Sequence, residues 1–377
     1  MPHATKAKTS AQALNRVITP LEAVTPICTT HTFGRDRNGL PTDVSKRRSG
    51  HVESMKAIIH RKYGGPEVLQ LVELARPKPG PGQVLVKVQA TSINAADYRM
   101  MRADPFLVRL ANGLFRPTKR RVLGSDAAGV VVELGAGVHD FRIGDEVYGG
   151  TALDAEGAFA EFALVRAHSL AKKPAGLTFQ QAAAVPLAGT TALQALREVA
   201  AGSRVLIAGA GGGVGLFAVQ IARVLGAHVT AVCGPRSVEL VRSLGAHEVI
   251  DYSTRDFTCM GQTWDTIVAV NGYQPLSTYR RHLAAKGRYV MVGGSSAQLF
   301  EALLLARPYF ALEGKRGGTL SFDARRQAED LQQLARWLES GGLRVIIDQQ
   351  FALERAAEAM AHVERGHVLG KVILNIC

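Results

Sequence analysis

The sequence predicts an α/β protein of two domains, a β-rich unit followed by a doubly wound parallel sheet. Three observations predict it. A run of glycines, Gly209-Ala210-Gly211-Gly212-Gly213-Val214-Gly215, sits between an apolar strand at 205–208 and an amphipathic helix. From about residue 180 onward strand and helix patterns alternate, as they do where helical crossovers connect parallel strands. Between Met55 and about residue 166 the pattern is instead one of short strands separated by turn chemistry.

Taken in order, residues 1–54 are rich in Thr, Ser, Arg and Pro and show no sustained periodicity, so a disordered extension is expected. Its basic residues are mixed with Glu22, Asp36, Asp43 and Glu53, which makes a poor mitochondrial presequence, and it has no apolar stretch for a secretory signal. Regular patterning begins abruptly at Met55, which stands as an alternative start of the chain. Pro79-Gly80-Pro81-Gly82 precedes alternating Val84, Val86 and Val88, and Gly157 precedes alternating Phe159, Glu161 and Ala163. Further on, strands are expected at 205–208, 228–232, 248–250, 266–270 and 288–292, with helices between them. An amphipathic helix at 328–338 and a last strand at 371–376 close the chain, the strand folding back onto the first unit. The expected division is 55–179 with 323–377 for the β-rich unit and 180–322 for the parallel-sheet unit.

A chain of 377 residues exceeds one comfortable core, and a hydrophobic content of 47% is ample for two. The four cysteines stand at 28, 233, 259 and 377 with no close pair, which supports neither a disulfide framework nor a structural zinc site and suits a reducing cytosol. Residues 205–222 form an uncharged run of 18, but five glycines lie in it, and strand, turn and helix account for it better than a membrane span. The formal charge of +13 is scattered, with short basic clusters at 46–48, 119–121 and 325–326. A nucleic-acid reader would carry a concentrated basic stripe or a reading motif, and neither is present.

Val214, Phe217, Ala218, Ile221, Ala222 and Leu225 recur at helical spacing, so the glycines form a strand-to-helix turn whose exposed N–H groups face an anion. Gly209, Gly212 and Gly215 give the spacing GxxGxxG, suited to a tight turn, close approach of a pyrophosphate and close packing of helix on sheet. In such a dinucleotide site the tip of the second strand meets the adenosine ribose. Here it reads Val232-Cys233-Gly234-Pro235-Arg236-Ser237, with no carboxylate to hold a 2′-hydroxyl and with Arg236 and Ser237 able to donate to a 2′-phosphate. NADPH is therefore expected over NADH.

The chain resembles the medium-chain dehydrogenase/reductase superfamily, and within it the zinc-free quinone oxidoreductase (zeta-crystallin-like) branch. The resemblance covers nearly all of 55–377. It rests on Met55-Lys56-Ala57 with Gly64-Gly65-Pro66-Glu67-Val68-Leu69, on Ser92-Ile93-Asn94-Ala95-Ala96-Asp97, on Leu123-Gly124-Ser125-Asp126-Ala127-Ala128-Gly129 and on Gly144-Asp145-Glu146-Val147-Tyr148-Gly149. Pro186-Leu187-Ala188-Gly189-Thr190-Thr191-Ala192, the glycine run, Leu244-Gly245-Ala246 with Val249-Ile250-Asp251-Tyr252, and Gly370-Lys371-Val372 complete it. It implies a GroES-like catalytic domain and a Rossmann cofactor domain, in a homodimer paired through the cofactor domain's edge strand. It further implies Asn94, Thr191 and Gly293 near the nicotinamide, and Gly209, Gly212, Gly213, Val214 and Gly215 at the pyrophosphate. Cys233, Arg236, Ser237 and Tyr252 fall around the adenosine 2′-phosphate, and Lys371 reaches the cofactor from the carboxyl-terminal segment. Tyr98 is the candidate to hydrogen-bond the substrate oxygen, with Asn94 the other catalytic candidate, whereas Asp97 reads as a structural acceptor.

Zinc-dependent alcohol dehydrogenases of this superfamily have a cysteine ligand where Asn94 stands, a histidine where Ser125 stands, and a four-cysteine lobe that this chain lacks. An amide and a hydroxyl do not replace thiolate and imidazole on zinc, so no metal ligand is assigned. The expected activity is hydride transfer to quinones or α,β-unsaturated carbonyls, small molecules whose carbonyl accepts the arriving charge. Enoyl-thioester reduction and a non-catalytic NADPH-binding sensor are the alternatives. Gly293-Gly294-Ser295-Ser296-Ala297 nearly matches a GxSxG nucleophile elbow, but ends in alanine and lacks evident His and Asp partners. Residues 104–121, with Phe106, Leu107, Leu110, Leu114 and Phe115 among basic side chains, read as a lid over the acceptor site or as an amphipathic surface loop.

Overall fold

A computed structural model describes residues 53–376 apart from 120, 152–155, 272–273 and 367. The extension expected at 1–54 therefore lies outside the described residues, except for its last two. Among the described residues no helix is long and apolar enough to cross a membrane.

The first half holds a two-stranded sheet and most of a seven-stranded one, built by alternation. Strand β1 (Ser54–His60) pairs antiparallel with β2 (Leu69–Ala75). The long β3 (Gln83–Ile93) pairs with β4 (Asp126–Leu134), which continues to β5 (Glu146–Gly150) and β7 (Leu170–Lys172), while β6 (Phe162–Arg166) lies along the start of β3. Gly82 enters β3 at φ +71°, a left-handed turn that glycine adopts without strain. Val84, Val86 and Val88 then point into a core shared with Val131, Val147 and Val165, and Lys87 faces out.

The second half reads as near-continuous apolar strands, as expected for a sheet covered on both faces. Strands β8 (Arg204–Ala208), β9 (His228–Cys233), β10 (Glu248–Asp251), β11 (Trp264–Ala269), β12 (Leu283–Met291) and β13 (Arg316–Thr319) are parallel in the order β10-β9-β8-β11-β12-β13. Val205 and Ile207 pack on one face with Phe217 and Leu331, and Leu206 packs on the other with Tyr279 and Phe310. Strand order reverses between β8 and β11, which opens a crevice at their carboxyl ends where the glycine run begins. The helix Gln327–Glu339 lies on the helix Pro186–Ala195, where a Cβ on Gly189 would stand 2.9 Å from Leu334 Cδ1.

The chain then returns to the first sheet. Strand β14 (Ile347–Ala352) runs parallel to β15 (Lys371–Asn375), and β15 is antiparallel to β3, with Val372 opposite Ile93. An isolated bridge joins Gly370 to Gly212, so the last strand touches both sheets.

Three elements carry no clear mark in the sequence. Strand β13 is Arg-Gly-Gly-Thr, with no apolar alternation, and it exists because β12 offers an open edge. Strand β14 has a polar middle, and the π-helical stretch Ala302–Ala306 interrupts a run that periodicity treats as one helix.

Candidate functional site

The glycine turn begins at Gly209, whose φ of +87° places it in the left-handed region. A Cβ on Gly215 would stand 2.2 Å from the Gly209 carbonyl oxygen, so helix Gly213–Val224 packs directly onto the turn. Gly212 is the N-cap and supplies no side chain; nothing lies within 4 Å of where its Cβ would be. Leu216 N–H donates to the Gly212 carbonyl at 2.9 Å, and the amides ahead of it have no acceptor within the helix. Open space at Gly212, above N–H groups that have no acceptor within the helix, lies at the positive end of a helix of 12 residues and fits a pyrophosphate.

The tip of β9 lies beside this turn. Ser237 is buried, and its Oγ is 2.3 Å from where a Cβ on Gly211 would stand, so the two segments share one surface. Arg236 is exposed and has no protein partner among the described residues. Tyr252, 60% exposed at the end of β10, places its hydroxyl over Gly234. The Cys233 thiol is buried and pushed up to about 11, by burial first and by Asp251 second. Asp251 closes β10 opposite Cys233, and its Oδ1 accepts from Ser253 N–H at 2.9 Å and from Ser253 Oγ at 2.7 Å.

Across the crevice, Asn94 caps the helix Ala95–Arg102, and its N–H donates to Asp97 Oδ2 at 2.8 Å. Asp97 Oδ1 accepts from Gly124 N–H at 3.1 Å and from Ser125 Oγ at 2.9 Å. Asp97 is thus a buried brace, and Ser125 is occupied in serving it. The Asn94 amide is likewise committed: Nδ2 donates to Asp126 Oδ2 at 2.8 Å, and Oδ1 accepts from Lys371 Nζ. Lys371 Nζ also donates to the Ile93 carbonyl at 3.2 Å and lies 3.7 Å from Asp126 Oδ2. Asp126, fully buried, accepts from Ser92 Oγ and from Leu187 N–H at 2.7 Å as well. Burial pushes the Lys371 ammonium below the usual lysine range, and Asp126 and Asp97 oppose that shift.

Lys371 connects the two sides. Its methylene stem passes the glycine turn, with Cδ 2.8 Å from where a Cβ on Gly213 would stand, and its Nζ ends in the Asn94 and Asp126 cluster. Thr191 is buried in the helix Pro186–Ala195, whose second residue, Leu187, binds Asp126. Gly293 allows the loop after β12 to lie against β11, since a Cβ there would stand 2.6 Å from the Val270 carbonyl oxygen. Tyr98 is half-buried against the first core, and its hydroxyl has no protein partner among the described residues.

The near match to a nucleophile elbow is a helix cap. Ser295 Oγ accepts from Gln298 N–H at 3.2 Å, and the Gln298 side chain returns to Ser295 N–H at 3.0 Å. Residues 104–121 hold the helix Leu107–Asn112, tied down where Tyr63 Oη donates to the Gly113 carbonyl at 2.8 Å. Asp104 accepts from Ser296 Oγ, which joins this segment to the loop after β12.

Two residues at the site escape sequence reasoning. Asp126 passes there as part of an apolar motif; the signal available was a carboxylate heading a strand of Ala, Gly and Val, which must be partnered if buried. Arg99 donates to the Gly294 carbonyl, and its Nε is buried with no partner. Nothing in its helical surroundings marks it.

The alcohol dehydrogenase GroES-like domain family matches residues 80–175, and the zinc-binding dehydrogenase family matches residues 244–374. A chloroplast envelope quinone oxidoreductase homolog of Arabidopsis thaliana is 32% identical over 339 residues, covering 85% of this chain and 98% of that protein. An NADPH-dependent alkenal/one oxidoreductase, chloroplastic, of the same plant is 32% identical over 338 residues, covering 85% of this chain and 80% of that protein. Among solved structures, the quinone oxidoreductase from Coxiella burnetii superposes with a TM-score of 0.76 at 31% identity, covering 86% of this chain and all of that one.

Proposed function

The chain belongs to the medium-chain dehydrogenase/reductase superfamily, in its quinone oxidoreductase branch, and from that premise we propose that it is an NADPH-dependent, zinc-independent reductase of quinones or α,β-unsaturated carbonyls. One observation carries this reading. A buried lysine, Lys371, runs from the phosphate-binding turn to the Asn94 amide, which stands where metal-dependent relatives have a cysteine ligand, and to the Asp126 carboxylate beside it.

The bound coenzyme supplies the hydride. Gly212, Gly213, Val214 and Gly215 hold its pyrophosphate through backbone N–H groups, with Gly209 making the turn. Arg236 and Ser237 hold the 2′-phosphate and Tyr252 covers the adenosine, while Cys233 packs beneath them. The absence of a carboxylate at the tip of β9, and the local capture of Asp251 by Ser253, support NADPH over NADH. Lys371, Asn94 and Thr191 fix the nicotinamide end. Asn94 works by holding Lys371 and Asp126 in place, since both ends of its amide are already bonded. The Tyr98 hydroxyl, which has no protein partner among the described residues, is the group assigned to hydrogen-bond the acceptor oxygen as charge arrives there.

Zinc independence rests on donor chemistry. An amide bonded to Lys371 and Asp126, and a hydroxyl bonded to Asp97, are poor ligands that are already in use. Sheet membership supports a catalytic unit of 55–179 with 323–377 and a cofactor unit of 180–322. The outer edge of β13 is where a second copy would pair in a cytosolic homodimer.

The test is steady-state turnover of NADPH and NADH with phenanthrenequinone and with an enal, run with and without a metal chelator. Chelator-insensitive reduction with preference for NADPH is expected. Chelator-sensitive alcohol oxidation would overturn zinc independence, and tight NADPH binding without turnover would make the protein a sensor.

A further inference from the structure

Exposed apolar side chains are unevenly distributed. Among the described residues twelve large hydrophobics are exposed, and nine of these lie in two segments: Phe106, Leu107, Leu110, Leu114 and Phe115 in the first, Leu303, Leu304, Leu305 and Leu312 in the second. Scattered single exposures need no explanation, but a concentration of this kind marks an interaction surface. The second segment packs against β13, the edge assigned above to a second copy, which leaves the segment around 106–115 as the apolar surface without an occupant. Phe115 is 86% exposed and Leu312 79%, so these side chains project outward and do not line a groove.

Charge identifies the occupant. Among the described residues of this segment Arg109, Arg116, Lys119 and Arg121 stand against one carboxylate, Asp104, which is held by Ser296. Arg109 stacks over Tyr63 at 4.8 Å and Phe106 at 5.6 Å, placing a guanidinium at the base of the apolar patch. A two-fold contact with another copy through this patch would set the basic residues against themselves. An anionic bilayer offers both complements at once, acyl chains for the projecting Phe and Leu tips and headgroup charge for the basic residues. The helix Leu107–Asn112, at 6 residues, is far too short to span, so the contact is interfacial.

We propose that residues 104–121 dock the protein onto an anionic lipid surface. This goes beyond the reductase reading and stands independently of the acceptor. It places the segment that begins at the Asp104 to Ser296 link at a membrane, where apolar acceptors partition.

The experiment is flotation of the full chain with extruded vesicles of phosphatidylcholine alone and of phosphatidylcholine mixed with phosphatidylglycerol. Binding at least about tenfold stronger to the anionic vesicles, and weakened by salt, is expected. The double variant Leu110→Ser, Phe115→Ser should lose about tenfold or more of that binding. Leu71→Ser, an exposed leucine on β2, should leave it unchanged. Circular dichroism and NADPH affinity, both expected at wild-type values in the double variant, separate a docking defect from a folding defect, and turnover of a water-soluble quinone tests the reductase reading separately. The proposal is overturned if the wild-type protein does not bind anionic vesicles. Retention of binding by the double variant overturns it too, as does conversion of a dimer to a monomer by that variant with vesicle binding unaltered.

Discussion

Around the glycine turn the site is made of backbone, whereas around Asp126 it is made of side chains from three separate strand ends, and the two handle charge by opposite means. The turn leaves N–H groups without acceptors inside the helix, beneath open space at Gly212, and waits for an anion. The cluster leaves almost nothing unpaired: Asp126 takes Ser92, Asn94 and Leu187 as donors with Lys371 beside it, and Asn94 uses both ends of its amide. The turn is written largely in local sequence, with Gly209 turning the chain and Gly215 letting the helix pack on Gly209 and Ala210, although Gly211 and Gly213 also make way for Ser237 and Lys371. The buried cluster needs β3, β4 and β15 to be brought together first, and a charged group there is tolerable only because the rest of the fold delivers its partners.

The most forceful way to break this contrast is Asp126→Ala. It leaves Lys371 without its nearest counter-charge and orphans donors from Ser92, Asn94 and Leu187, so a loss of about 3–5 kcal/mol is expected in urea unfolding at neutral pH. A loss under about 1 kcal/mol would mean that water or local rearrangement satisfies the cluster and that it is not held by its charges. Next comes Gly215→Ala. The new Cβ meets the Gly209 carbonyl oxygen at 2.2 Å and Ala210 Cα at 2.7 Å, both backbone, so neither gives way cheaply. About 1–3 kcal/mol of destabilisation is expected, together with a sharp loss of NADPH binding by fluorescence titration. Normal binding in that variant would show that the turn is packing alone.

Much of the turn was legible before any coordinates, and little of the cluster was. The expected strands at 205–208, 228–232 and 248–250 correspond to β8, β9 and β10 within a residue, because buried parallel strands are written as apolar runs bounded by glycine. Asn94 and Lys371 came into view through resemblance, but their contact spans 277 residues of sequence, and no spacing rule connects them. Asp126 was hidden for the same reason. Strand β13 was hidden for another: two glycines between Arg and Thr give no pattern, and only the edge of β12 makes them a strand. Arg236 lies on the legible side of this division, and Arg236→Ala sharpens it at smaller scale. With the guanidinium exposed and unpaired, its removal should leave the fold stable and weaken NADPH about tenfold, or about 1.4 kcal/mol, with NADH unaffected. Equal weakening of both coenzymes would place Arg236 away from the 2′-phosphate.

The finest distinction is in pH. Burial lowers the Lys371 pKa in the folded protein below its ordinary 10.5, so below that lowered value both states hold the proton and the folded state carries the whole penalty for an ammonium out of water. Between the lowered value and 10.5 the unfolded chain binds more protons than the folded one, and stability due to this group rises with pH. Lys371→Met removes the penalty at every pH. Wild-type stability relative to the variant should therefore climb as pH is raised from neutrality toward 10.5, by about 1.4 kcal/mol for each unit by which burial lowers the pKa. Tyr148, Tyr279 and Tyr289 are pushed up by burial and act in the opposite direction above pH 10, but they do so in both proteins and cancel in the difference. Urea midpoints measured across this range would give a rising difference if Lys371 sits in the folded protein as a desolvated cation. A flat or falling difference would mean that Asp126 and Asp97 outweigh desolvation, and the cluster would then be an ordinary ion pair, no different in kind from the exposed pairs elsewhere on the molecule.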